Sequence, residues 1–219
     1  GENTEEKKVT IYYVTDEQQQ SQYINMFKQE GLDAVLLTHN IDSPFVTQLE
    51  QRNENVQFQR IDADLTDTFK EEVAKEEEEA FKADTETLTD VFRKALENDK
   101  LEVKVEKLKN ENVASMVTLS EQSRRMQEMM KMYGMAGMGM DMYNMYGMDP
   151  SMFGTDVTLV LNANHPLVQY VLKNKDGEHV PMFCKQLFDL AMLSNKPLNP
   201  EEMTAFINRS NEIMMLLAK

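Results

Sequence analysis

The chain has 219 residues, 41% of them apolar, and carries a formal net charge of −15 from 38 acidic and 23 basic side chains. Length and apolar content allow one or two domains with real cores, while the charge excludes nucleic-acid binding, which needs a positive footprint against phosphate, and an anionic membrane surface. Cys184 is the only cysteine, so no internal disulfide forms and a reducing, cytoplasmic setting is expected.

Residues 9–14, VTIYYV, are β-branched and aromatic and read as a buried strand. Thr15 and Gln18 have capping-box spacing for a helix over 16–30, with Tyr23, Ile24 and Phe27 on one face and Gly31 at C′. DAVLL, 33–37, reads as a second buried strand. Ser43-Pro44 opens another helix that turns Phe45, Val46 and Leu49 inward, and Val56, Phe58 and Arg60 alternate through a third strand ending near Ile61. This β-α-β-α-β order implies a small α/β unit, assigned to 1–66.

Composition then becomes acidic. Phe69 and Val73 predict a first helix, and Glu76 to Glu79 a solvated helix face. Leu88, Val91, Phe92, Ala95 and Leu96 predict a packed amphipathic helix with Asp84 as N-cap. Leu101, Val103 and Val105 alternate as a half-buried strand; Asn110 to Asn112 make a turn, and Val113 to Leu119 form a partner strand, which predicts a hairpin. Ser120 caps a helix over 121–133 that Gly134 ends. Residues 157–161, VTLVL, are a strand; Pro166 starts a short helix, Asp176-Gly177 turns, and two helices over 179–193 and 200–217 close the chain. The expected second domain is α+β, 67–219, with a boundary that could fall as late as 82. Its terminal hairpin has a wide apolar stripe, which packs on its own domain or on a copy of itself; two hairpins meeting by a two-fold would make a four-helix bundle.

Eleven of the 18 methionines fall between Met126 and Met152, interleaved with glycine. Methionine is unbranched and polarizable and repacks against many apolar shapes. Met126, Met129, Met130 and Tyr133 share one helical stripe. A buried core helix is the plain interpretation of such a stripe. Met132 lies off it, however, and the run continues through Met135 into glycine-rich sequence unsuited to a regular core element. Thioethers also suit Cu(I), and Met138, Met140 and Met142 have the spacing of a copper carrier. Yet no His or Cys lies in the run. A signal-sequence groove would call for a basic face that this acidic chain lacks. His39, His165 and His179 are scattered, with His165 at a helix start in a structural role; Cys184 reads as packing. No HxxxH, CxxC or phosphate loop occurs, so neither a resident metal nor a catalytic residue is expected.

KVTIYYVTDEQQQ and GLDAVLLTHNID resemble the last subdomain of the middle domain of the heat shock protein 90 chaperones. LNANHPLVQYVL, followed by helices ending FINRSNEIMMLL, resembles the C-terminal dimerisation domain of the family's bacterial branch. The resemblance covers nearly the whole chain in order. It implies an ATP-driven, cytoplasmic, stress-response chaperone that works as a homodimer on unfolded client proteins. ATP and magnesium would belong to an N-terminal domain not matched here, so this chain is expected to hold no cofactor and no ATPase activity. The family dimerises through its last two helices, which assigns Phe183, Leu187, Leu190, Met203, Phe206, Ile207, Ile213, Met214 and Leu217 to the dimer interface. Its methionine-bearing helix in the cleft between protomers assigns Met126, Met129, Met130, Met132, Tyr133 and Met135 to client binding. Ser43, Pro44 and Phe45 replace a bulky aromatic that many bacterial relatives place after Ile41-Asp42 in a client-contact patch. Gly1 in place of an initiating Met is expected of a fragment, no signal peptide or membrane-length apolar run is visible, and the chain ends at Lys219 without the acidic tail of eukaryotic members. A Cu(I)-binding protein and a purely structural dimerisation module with a buried methionine helix remain the alternatives.

Overall fold

The computed structural model describes residues 8–39, 41–63, 67–119, 157–195 and 197–218. They fall into two compact units, Gly1–Ala63 and Asp64–Lys219, with six α-helices and two three-stranded sheets among the described residues.

In the first unit, β1 (Val9–Val14) lies between β2 (Val35–Leu36) and β3 (Val56–Arg60), both parallel to it. Tyr13 and Phe58 of this sheet pack on Val46 of α2 (Asp42–Arg52). α1 (Ser21–Gln29) starts later than the capping-box spacing predicts. Gln20, not Gln18, reaches back, its Oε1 accepting from the Thr15 and Asp16 backbone N–H groups at 2.8 and 3.0 Å, while Asp16 Oδ1 accepts from Gln18 and Gln19. The helix ends as Gly31 allows. With φ at +66°, the Gly31 N–H reaches Lys28 O and the Leu32 N–H reaches Phe27 O, the paired bonds of a Schellman motif.

Two further expectations fail in this unit. β2 spans two residues and is exposed instead of buried, because it is an edge strand. Phe45 is 57% exposed, because α2 starts at Asp42 and turns Val46, one position on, into the core.

The second unit corrects more. No helix forms at Phe69 and Val73. A 3-10 turn at Asp67–Phe69 buries Phe69, and Lys70 bridges Leu108. α3 runs Glu78–Leu96, so Asp84 is internal and no N-cap; Glu78 and Glu79 fill the first turn, where the helix dipole favours acids. It ends on Glu97 at φ 54°, the left-handed position usually held by glycine. β4 (Glu102–Glu106) and β5 (Ser115–Leu119) do not form the predicted hairpin. β6 (Val157–Asn162) lies between them, parallel to β4 and antiparallel to β5. VTLVL is the most continuously apolar strand and takes the central position, where both faces are covered. α4 (Pro166–Lys173), α5 (Val180–Leu193) and α6 (Pro200–Leu217) complete the unit. The core joins Leu88 and Phe92 of α3, Val117, Leu159 and Leu161 of the sheet, Val168 and Val171 of α4, and Val180, Cys184 and Leu187 of α5.

The motif LNANHP works as a polar seam. Asn162 is fully buried, and its amide makes four hydrogen bonds. Nδ2 donates to Asn110 O and Val113 O at 3.0 and 2.8 Å, and Oδ1 accepts from the Leu108 and Asn164 N–H groups at 3.0 Å each. Asn164 Nδ2 donates to Glu71 Oε2 and Leu108 O. His165 Nδ1 accepts from the Leu167 N–H as N-cap of α4, with Pro166 following.

Candidate functional site

The helix predicted over 121–133, and with it Met126, Met129, Met130, Met132, Tyr133 and Met135, lies outside the described residues. The site that can be built is the C-terminal hairpin of α5 and α6.

α5 has two faces. Val180, Cys184, Leu187 and Ala191, at helical spacing, are buried in the core, and Ser115 Oγ on β5 donates to Leu187 O at 2.8 Å. Leu187 is 2% exposed and belongs wholly to the chain's own core. Phe183 is half-buried, its ring edge-on to Tyr170 at 5.4 Å between centroids. Leu190 points out and is exposed.

α6 is well formed from its first turn. Asn199 and Glu202 make a complete capping box, each side chain bonded to the other's backbone N–H at 2.9 Å, and Pro200 sits in the first turn. A polar clamp fixes it against α5. Arg209 donates through Nη2 to Asp189 Oδ2 at 2.6 Å and through Nε to Gln186 Oε1 at 3.3 Å, and Gln186 Nε2 donates to Ser210 Oγ at 3.0 Å. Burial raises the Asp189 carboxyl above its ordinary range; the Arg209 guanidinium opposes this and the Glu202 charge adds to it. Sequence reasoning missed the clamp, although Arg209 and Ser210 interrupt the apolar stripe between Phe206 and Ile213, where a polar partner on the facing helix is needed.

On either side of the clamp the apolar positions of α6 separate. Met203 and Phe206 are half-buried against the core, and Ile213 is half-buried. Ile207, Met214, Met215, Leu216 and Leu217 are exposed, Leu217 at 84%. No residue of α6 is fully buried. Met215 and Leu216, which the stripe had left out, thus join Leu190, Ile207, Met214 and Leu217 on the exposed surface.

Among the described residues there is no group of three or more His, Cys, Asp or Glu able to hold a metal ion. Burial pushes the Cys184 thiol up to about 12. Desolvation lowers the His165 pKa, and Nδ1 is already committed to its cap. No described helix is long and apolar enough to cross a membrane.

A family model described as "Hsp90 protein" matches residues 2–219. Among curated proteins, the "Chaperone protein htpG" of Bacteroides fragilis (strain 638R) is 34% identical over 181 residues, 80% of this chain and 25% of that protein. The "Chaperone protein HtpG" of Porphyromonas gingivalis (strain ATCC 33277) is 32% identical over 203 residues, 90% of the chain and 28% of its own length. That of Helicobacter acinonychis is 26% identical over 219 residues, covering 98% of the chain and 32% of the relative. The chain therefore spans between a quarter and a third of the length of these relatives.

Proposed function

The chain belongs to the Hsp90 protein family, and on that premise we propose that it is the self-association and client-binding portion of a bacterial molecular chaperone. Two copies meet through α5 and α6 about a two-fold axis, and the four helices form a bundle. Clients are unfolded proteins, held by the methionine-bearing segment from Met126 to Met135. ATP and magnesium act in a region of the longer relatives outside these 219 residues, in the cytoplasm.

The observation that carries self-association is α6 itself. It is an 18-residue helix with a complete N-terminal cap, rich in Met, Ile, Phe and Leu; none of its residues is fully buried in its own chain, and Ile207 and Met214 to Leu217 are exposed. A monomeric soluble protein rarely leaves so continuous an apolar surface open, and each large apolar side chain covered by a second copy contributes roughly 1.5–3 kcal/mol. A two-fold places the same surface on both sides, as a closed dimer requires.

Sedimentation tests this. A species of twice 25.4 kDa is expected, and Ile207→Glu with Met214→Glu should convert it to a folded monomer. A chain that is monomeric at tens of micromolar would overturn the dimer. For clients, Met126, Met129, Met130 and Tyr133 changed together to Ser should weaken capture of an unfolded model protein. Undiminished capture by a folded dimer would sink that assignment and favour a purely structural module.

A further inference from the structure

We infer that Met214 and Met215 form a peroxide-sensitive modification site, and that oxidation of their thioethers dissolves the α5–α6 association; this rests on the self-association proposed above. Among the described methionines, Met26, Met116 and Met192 are buried and Met182 and Met203 half-buried. Of these described methionines only Met214 and Met215 are exposed, at 57% and 60%. Attack on a thioether requires the oxidant to reach sulfur, which burial hinders at Met26, Met116 and Met192. The two exposed sulfurs follow Ile207 by seven and eight positions, and lie with Leu217 on the surface that a second copy would cover.

The chemistry balances with hydrogen peroxide as oxidant. The sulfur lone pair attacks one peroxide oxygen, an S–O bond forms and the O–O bond breaks. The second oxygen leaves with its electron pair, takes the proton from the first, and departs as water. Sulfur is oxidised by two electrons and peroxide is reduced. The product is a sulfoxide, polar where the thioether was apolar. Ile207 and Leu217 have no donor to offer the new oxygen, and Arg209 is already bonded to Asp189 and Gln186. Burying a polar group without a partner weakens association by roughly 5- to 100-fold per group, and a two-fold repeats each change. The dimer covers these sulfurs, so the dissociated chain is the reactive form. Oxidation should therefore slow as protein concentration rises.

The test uses the full chain and the Met214→Leu/Met215→Leu variant, which keeps apolar volume and good helix formers but has no thioether at these positions. All other methionines stay in place. Both proteins are treated with hydrogen peroxide, sulfoxides are mapped by peptide mass spectrometry, and dimer dissociation constants are measured by sedimentation. The treated wild type should dissociate about tenfold more readily or worse, the treated variant should stay within about twofold of its untreated value, and a methionine sulfoxide reductase should restore the wild type. A wild type that holds its dimer with both sulfoxides in place overturns the inference. So does a variant that weakens as much as wild type, because the cause would then lie in other methionines. An untreated wild type that is already monomeric overturns the self-association itself, and this inference with it.

Discussion

Replacing Asn162 by Ala removes one side chain and four hydrogen bonds at once. The amide is fully buried at the end of β6, and its partners are all backbone groups of 108–113 and Asn164. Alanine leaves the Leu108 and Asn164 N–H groups and the Asn110 and Val113 carbonyls without this partner; Leu108 is itself fully buried. Each bond contributes about 0.5–1.5 kcal/mol net, and a buried orphan costs about 1–3 kcal/mol. The expected loss is about 4 kcal/mol, falling to about 2 kcal/mol if a water takes the amide's place. Asn162→Asp separates the two halves of the amide. It keeps an acceptor for both N–H groups but turns a second oxygen toward two carbonyls. A buried carboxyl in that position has its folded pKa raised, so its stability should fall as pH rises through that value. Urea unfolding at fixed protein concentration measures both variants, with hydrogen exchange at β5 and β6 isolating the second unit. A loss below about 1 kcal/mol in the alanine variant would refute the seam as a source of stability.

His165 supplies a pH dependence. Its folded pKa is lowered by desolvation, and Nδ1 must keep its lone pair to cap α4. The cap is therefore intact above the unfolded value near about 6.5 and is lost as pH falls through and below it; His165→Asn should remove about 1 kcal/mol of the stability difference between pH 8 and pH 5. Identical pH profiles for the two proteins would contradict the capping role. Cys184, buried with its thiol pushed up to about 12, should be thiolate in only about one chain in ten thousand at pH 8. A disulfide-exchange reagent should label it only once the second unit unfolds; fast labelling of native protein would show that the core opens there.

Sequence alone placed the elements whose ends carry chemistry. Gly31, His165-Pro166 and Asn199-Pro200 each mark a helix end through backbone groups that only certain residues satisfy, and the structure uses all three. It misplaced elements whose partners are distant. Asn110 to Asn112 gave a strong local turn signal, and a turn between two apolar strands predicts a hairpin. Yet the carbonyl groups of Asn110 and Val113 bond to Asn162, more than 45 residues on, and β6 takes the place between the strands. Local patterning cannot distinguish a strand's partner from a strand that leaves room for another. The start of α3 failed for a related reason. The stretch Glu78 to Asp84 has little apolar signal, with only Phe81 packed on the core, and is helical because acids suit the first turn and the later turns are anchored.

The hairpin shows where such a reading stops within a single element. Period 3.6 selects one stripe per helix, and that stripe mixes residues owed to different partners. Leu187 and Leu190 lie three positions apart and share one stripe in the sequence, yet Leu187 is sealed under β5 while Leu190 faces outward. Likewise Met203 and Phe206 lean on the chain's own core, whereas Ile207 and Met214 do not. Periodicity reports that a side chain avoids water, not which neighbour shields it. The division comes from the clamp. With Arg209, Asp189, Gln186 and Ser210 bonded together, α6 cannot roll to bury its outer positions on α5 without breaking the three hydrogen bonds that join these four residues. The polar residues inside the hairpin thereby keep its apolar residues outside.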